Sequence, residues 1–370
     1  MIRVLEVISD TNIGGAGVLL INRLKHVDRS KFDTRVLLPS GSALASKFRD
    51  IGIKCIEMDI CGDRSMDIRA VKKFCRVIGK YSPDIINSHG CMSARIAAKL
   101  CRVPVKICTR HCVFPVSKKY RAIKPFAALF NAYLSDCFIA VAESAKGNLL
   151  ALGVPENKIS VIINGAEPLK LLDQNEKHAF RQKLGISDAA CVLSFCARLE
   201  RCKGHEWFLN VVSELKKRGV HFVVLFIGDG SQRQFLMRKC RELGIWSFVR
   251  FIGFVDDTSP YMNIADININ CSVGTETSSL ALSEGMSVGL PAVVSDYGGN
   301  SYMIKHGVNG LVCKCYDYMA MADSIEGLID DGELYSQLSY HAYRRFHKEL
   351  NAANMARQTY RLYEKLYKKI

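Results

Sequence analysis

A chain of 370 residues is longer than one hydrophobic core usually organises, so two domains are expected, each large enough to bury a good core. With 49% hydrophobic and 24% charged residues, no low-complexity tract and no apolar run near the roughly 20 residues of a bilayer span, the composition argues against disorder and against membrane crossing. The formal net charge of +15 is uneven: residues 1–165 hold 26 Lys and Arg against 13 Asp and Glu, while residues 166–370 hold 25 against 23. A basic first half suits anionic lipid, nucleic acid or a phosphorylated substrate, and suits a plain solvated surface equally well.

The first nine residues, Met-Ile-Arg-Val-Leu-Glu-Val-Ile-Ser, read as a short apolar strand with charges inside it rather than as a signal peptide, so a cytoplasmic protein is expected. β-Branched runs then alternate with helical patterns. The spacing predicts strands over 4–9, 34–38, 84–87, 105–109, 138–142 and 159–163, and again over 191–197, 221–227, 249–252, 266–270 and 292–295. Strand, helix, strand at this spacing means parallel sheets with right-handed crossovers, giving an α/β chain of two doubly wound, Rossmann-like domains in series. The boundaries fall at 1–165, 166–350 and a last helical stretch, 351–370, that packs back across the first domain. Ligands of open α/β sheets bind beyond the carboxyl ends of the strands, so two facing sheets are expected to share one cleft. Of the fifteen cysteines most sit inside apolar strands and helices, as Cys108, Cys137, Cys191, Cys196 and Cys271 do, and read as reduced small hydrophobes. The close pairs, Cys108 with Cys112 and Cys313 with Cys315, lack a second pair to complete a zinc site, so no structural metal is expected.

Chemistry gathers at two turn-to-helix junctions of the second half. Arg198 stands at the end of the strand over 191–197, and Lys203 stands just before the helical pattern that starts at His205, where backbone N–H groups and the helix dipole also favour anions. An isolated loop cation ordinarily points into water; these two, with the helix terminus, make three converging sources of positive potential. After the strand over 266–270 comes Ser272-Val273-Gly274-Thr275-Glu276-Thr277-Ser278-Ser279-Leu280-Ala281-Leu282-Ser283-Glu284. Ser278 or Ser279 caps a helix carrying Glu284, and Glu276 stays in the loop ahead of it. A diphosphate needs fixed cations and sugar hydroxyls need carboxylate acceptors, so the ligand these groups suit is a nucleotide sugar. Taken singly, Glu276 would be solvated and Glu284 would make a helix-surface ion pair.

Arg198 with Lys203-Gly204, Gly228-Asp229-Gly230, Phe251-Ile252-Gly253, Glu276 and Glu284 with seven residues between, Gly298-Gly299, and Gly307-Val308-Asn309-Gly310 follow one another in an order that resembles the signature of glycosyltransferase family 4. Gly14-Gly15-Ala16-Gly17, Asn164-Gly165 and the terminal helix extend the resemblance over most of the chain. It implies a GT-B fold and a retaining transfer from a nucleotide-sugar donor, UDP being the family-weighted base, to a sugar or lipid-linked acceptor in polysaccharide biosynthesis, with no cofactor and no obligate metal. By position it implies that Arg198 and Lys203 hold the donor diphosphate and neutralise the charge left when the glycosidic bond breaks. Glu276 would face the donor sugar, Glu284 the ribose, and Phe254 and Val255, near Gly228 and Asp229, the base; the amides of Ser279 and Leu280 would point at phosphate. Gly14, Gly15, Ala16 and Gly17 would approach the same phosphate, and His111 would face the transferred sugar, with His89 a weaker candidate and His205 structural. Two departures, Thr277-Ser278-Ser279 after Glu276 and Tyr302 after Gly298-Gly299, replace the family's usual Gly-Phe-Pro and glutamate beside the sugar pocket.

Lys118, Lys119, Arg121 and Lys124, interleaved with Tyr120, Ile123, Pro125, Phe126 and Leu129, begin a basic amphipathic stretch. It suits an anionic bilayer, on the inner face of the cell membrane, and suits equally a helix with a solvated basic face. A retaining glycosidase is disfavoured, because its carboxyls stand roughly 5 Å apart, whereas eight helical steps of about 1.5 Å would separate Glu276 from Glu284 much further. The remaining alternatives are a GT-B nucleotide-sugar epimerase and a non-catalytic sugar-nucleotide or nucleic-acid binding protein, the last without the aromatic and basic interleaving that nucleic acid requires.

Overall fold

The first half builds a seven-stranded sheet whose interior strands are largely buried and mostly apolar, because helices cover both faces of a parallel sheet. The computed structural model describes residues 1–59, 67–113, 118–274 and 276–370, and its strands here are β1 (Ile2–Val7), β2 (Phe32–Pro39), β3 (Lys54–Met58), β4 (Ile85–Ser88), β5 (Val105–Arg110), β6 (Cys137–Ala140) and β7 (Ile159–Val161). They lie in the order β3-β2-β1-β4-β5-β6-β7, all pairings parallel. Helices α1 (Gly15–Lys25), α2 (Leu44–Asp50), α3 (Ile68–Tyr81), α4 (Met92–Leu100), α5 (Lys118–Leu134) and α6 (Glu143–Ala151) make the crossovers. Leu20, Leu24, Val36 and Phe48 fill one face of the sheet, and Leu5, Leu37, Phe74, Ile86 and Ala97 fill the other.

The second half forms a six-stranded parallel sheet from β8 (Cys191–Cys196), β9 (Phe222–Ile227), β10 (Val249–Gly253), β11 (Ile267–Asn270), β12 (Ala292–Ser295) and β13 (Gly310–Cys313), in the order β10-β9-β8-β11-β12-β13. Its helices are α7 (Gln174–Lys183), α8 (His205–Lys217), α9 (Arg233–Glu242), α10 (Ser259–Ile264), α11 (Leu280–Ser287), α12 (Asn300–Met303), α13 (Tyr318–Asp330) and α14 (Gly332–Arg345). The last helix, α15 (Ala352–Tyr367), belongs to the other unit: Met1–Ala166 with Ala352–Ile370 form one compact body and Glu167–Asn351 form the second. The Ala352 amide donates to the Ala166 carbonyl at 2.8 Å, and α15 then packs along α1, burying Tyr360 and Tyr363.

Each sheet has one place where the chain leaves a central strand and resumes on its other side, between β1 and β4 and between β8 and β11. At such switch points the loops leaving the two strands diverge and open a crevice at their carboxyl ends. Two strands were not foreseen, β3 and β13, and both are sheet edges. The sequence of β3, Lys-Cys-Ile-Glu-Met, keeps charges at Lys54 and Glu57 because an edge strand needs no continuous apolar run. No described helix is long and apolar enough to cross a membrane.

Candidate functional site

The two junctions singled out in the second half leave the switch-point strands β8 and β11. Past β8 the chain runs through exposed Arg198 into a short turn, Arg201–Lys203, and enters α8 at Gly204. Gly204 has φ +78°, and a Cβ there would stand 1.9 Å from the Cys271 carbonyl oxygen, so only glycine lets the Lys203 turn lie against the loop that leaves β11. That closeness brings Lys203 to Glu276, Nζ to Oε2 at 2.7 Å. Ser272 also donates to Glu276 Oε2, at 2.9 Å. Glu276 is therefore buried and ion-paired rather than solvated, with a side-chain exposure of 7%.

The loop is clamped from the far side. Gly298 and Gly299 run under it, the Gly299 amide donating to the Glu276 carbonyl at 3.2 Å, and a Cβ on Gly299 would meet the Thr277 carbonyl oxygen at 1.7 Å. Ser279 caps α11 by accepting from the Leu282 amide at 3.3 Å. Its own amide, the one expected to point at phosphate, meets the Met303 sulfur at 3.2 Å. Leu280 is the first residue of α11, and Glu284 is the fifth. Glu284 Oε2 accepts from Thr258 Oγ1 at 2.9 Å, a partner the sequence did not announce. Burial raises the Glu284 carboxyl to about 6; the Thr258 hydrogen bond opposes this and nearby Asp257 adds to it.

Gly228 pairs with Gly253, amide to carbonyl at 2.8 Å, which sets Phe254 and Val255 beside Gly228 and Asp229. Phe254 is 64% exposed, while Val255 packs into a core cluster with Ile227 and Met262. Asp229 Oδ1 accepts from the Gly230 amide at 2.8 Å. His205 is buried and stacks on Phe195 at 4.0 Å between centroids; burial, then Lys203, lower it to about 3. It is a packing residue.

In the first unit, Gly14 caps α1 without a side-chain bond, and Gly15 begins the helix with open space where a Cβ would stand. At Gly17 a Cβ would come within 2.5 Å of Leu44, so this glycine lets α1 pack on α2, and Ala16 packs partly into the same cluster. His89 follows β4 and His111 follows β5, and their rings meet, Nδ1 of His89 to Nε2 of His111 at 2.7 Å. His89 Nε2 lies 3.0 Å from Glu6 of β1. In sequence Glu6 looks like a solvated charge within a strand; it is fully buried because β1 is central and covered on both faces. The side chains of Lys118, Lys119 and Arg121 lie outside the described residues, as does Thr275; Phe126, Leu129 and Tyr133, further along α5, are exposed.

The profile described as Glycosyltransferase Family 4 matches residues 13–168, and that described as Glycosyl transferases group 1 matches residues 176–345, one over each sheet. The chain belongs to glycosyltransferase family 4. An uncharacterised glycosyltransferase of Methanocaldococcus jannaschii is 29% identical over 304 residues, covering 78% of this chain and 77% of the relative. The UDP-Gal:α-D-GlcNAc-diphosphoundecaprenol α-1,3-galactosyltransferase of Escherichia coli is 21% identical over 332 residues, 86% of each chain. Among solved structures, a glycosyltransferase from Rickettsia africae superposes with a TM-score of 0.86 at 18% identity, over 100% of this chain and 99% of the other. HepE of Anabaena, solved with UDP and glucose, gives 0.85 at 19% identity over 98% and 100%. The glycosyltransferase thus has the GT-B fold.

Proposed function

We propose that this glycosyltransferase is a retaining enzyme that moves a hexose from a UDP-sugar to a hydroxyl of a sugar or lipid-linked acceptor. The observation that carries the reading is the Lys203–Glu276 pair at the switch point of the second sheet, a cation and a carboxylate held 2.7 Å apart where a diphosphate and its sugar would meet. An ammonium has three donors, so Lys203 can keep Glu276 and still donate to phosphate oxygens. Arg198 adds a second cation at the end of β8, and Glu284 a carboxylate for the ribose; Phe254, exposed beside Gly228, offers a face to the base. HepE holds UDP and glucose on the same fold, and the E. coli relative uses UDP-galactose on a diphosphoundecaprenol-linked sugar, which supports the donor and the acceptor class.

In this reading the C1–O bond to the diphosphate breaks with its electron pair passing to the diphosphate oxygen, where Lys203 and Arg198 stabilise the charge. The acceptor oxygen bonds C1 on the face being vacated and its proton goes to the departing phosphate, so the anomeric configuration is kept. Glu276, on the sugar side, stabilises the positive charge at C1. Acceptors on a membrane surface suit the basic first half of the chain. A thermal-shift panel of UDP-, GDP-, ADP- and TDP-sugars with their free nucleotides tests the donor: a UDP-sugar raises the unfolding temperature above UDP alone, and stabilisation only by another base overturns the UDP assignment.

A further inference from the structure

We propose that the second unit carries a phosphate-binding site at the amino end of its sheet, between the loop that enters β13 and the end of α14. It is separate from the Lys203–Glu276 pair. All six strands of this sheet run parallel, so the loop before β13 lies at the end where strands begin, whereas Lys203 and Glu276 follow the ends of β8 and β11.

A cavity of about 450 Å³ lies between Lys305 and Val308 of that loop and the last turns of α14 with the π-helical turn Phe346–Leu350 that follows. Its size suits a small ligand. Lys305, His341, Arg344, Arg345, His347 and Lys348 line it, and Glu349 is the single acid among the described lining residues. The excess is local. Glu167–Asn351 hold 20 Lys and Arg against 22 Asp and Glu, a net of −2, while the cavity wall holds four against one, a net of +3. A solvated face usually mixes signs, and like charges four residues apart, as Arg344 and Lys348 are, repel along a helix. Cations near a helix end can also satisfy its last carbonyls. Here Asn351 Nδ2 does so, donating to the Phe346 and His347 carbonyls at 3.3 and 2.7 Å. Lys305 comes from another element, and among the described residues neither its ammonium nor that of Lys348 has a partner.

Both walls are fixed. Buried Asn309 holds the loop, its Oδ1 accepting from the Lys305 amide at 2.7 Å and its Nδ2 donating to the Met303 carbonyl at 3.0 Å. Gly307 turns at φ +72°, and its amide donates to the Gly310 carbonyl at 2.9 Å. The Gly307-Val308-Asn309-Gly310 motif thus sets the backbone beneath Lys305. Opposite, Arg345 Nη2 donates to the Tyr302 carbonyl at 2.6 Å and ties α14 to α12, so this mostly buried guanidinium contributes charge while exposed Arg344 and Lys348 contribute open donors. Preformed walls lower the ordering cost of a bound anion. A phosphate monoester, with about −1.5 to −2 charges at pH 7 and three acceptor oxygens, can engage cations from both walls, which a single carboxylate does less well. The dipole of α14 opposes an anion at this end, so the side chains must supply the affinity.

The test is proton NMR of the histidine rings during titration with inorganic phosphate at fixed pH and ionic strength, with potassium chloride as the reference salt. His341→Gln and His347→Gln assign the two ring signals at the cavity, so phosphate taken up at Lys203 does not register. Both signals are expected to move saturably with phosphate, while that of His221, exposed elsewhere in the unit, stays. Lys305→Ser/Arg344→Ser/Lys348→Ser changes only exposed side chains and should bind phosphate at least about 10-fold more weakly. No movement in wild type, movement that chloride reproduces, or equal affinity in the folded triple variant overturns the proposal. If the triple variant does not fold, Lys305→Ser alone makes the comparison, and equal affinity there overturns it too. Vesicles of phosphatidylcholine with and without phosphatidic acid then identify the source. Weaker sedimentation of the triple variant than of wild type with the acidic vesicles assigns the phosphate to a lipid headgroup, and equal sedimentation assigns it to a soluble phosphate ester.

Discussion

At the scale of single residues the account turns on Lys203 and Glu276, a pair with side-chain exposures of 15% and 7%. Removing one partner strands the other where water is scarce, so Lys203→Met and Glu276→Gln should each destabilise more than the two together. A coupling of about 1–3 kcal/mol is expected in a double-mutant cycle read by urea unfolding, and additive losses would mean the two do not interact. Glu284 supplies a pH test. Its folded value, about 6, lies above the ordinary 4.5, so the folded state holds the proton more tightly, and the stability this gives is complete below about pH 4.5 and lost as pH rises to about 6. Glu284→Gln should flatten that part of the urea-midpoint profile; an unchanged profile would show that Glu284 titrates normally. Arg198, Lys203, Glu276 and Glu284 were legible in sequence because charged residues at strand ends and helix starts stand out. Glu6, Arg23, Asn87 and Tyr363 were not, because their partners lie up to 357 positions apart and only the fold collects them.

At the scale of elements, the contact between the turn before α8 and the end of β11 sets the site, and Gly204 permits it. Gly204→Ala forces a Cβ into the Cys271 carbonyl at an unfavourable φ, and a loss of about 1–3 kcal/mol or more is expected, with weaker binding of UDP. Wild-type stability would show that this turn can move away without consequence. Interior strands such as β9, Phe-Val-Val-Leu-Phe-Ile, announce themselves because every position is buried. Edge strands β3 and β13 do not, since half of each faces away from the core and a short mixed run resembles a loop.

For the molecule as a whole, the first unit is made from both ends of the chain. Truncation after Asn351 removes α15, uncovers α1 and takes Tyr363 from Glu6. The truncated protein should lose its cooperative unfolding transition for the first unit while residues 167–351 still melt as a unit; two intact transitions would show that α15 only decorates the surface. Alternating strands and helices revealed two sheets, yet which helix completes which sheet follows from long-range packing that no local pattern records. The most direct measurement of the central claim is a calorimetric titration of UDP into wild type and Lys203→Ala. Losing a charge-assisted hydrogen bond to a phosphate oxygen should weaken binding by about 1.5–3 kcal/mol, roughly 10- to 150-fold, and equal affinity in the two proteins would contradict the assignment.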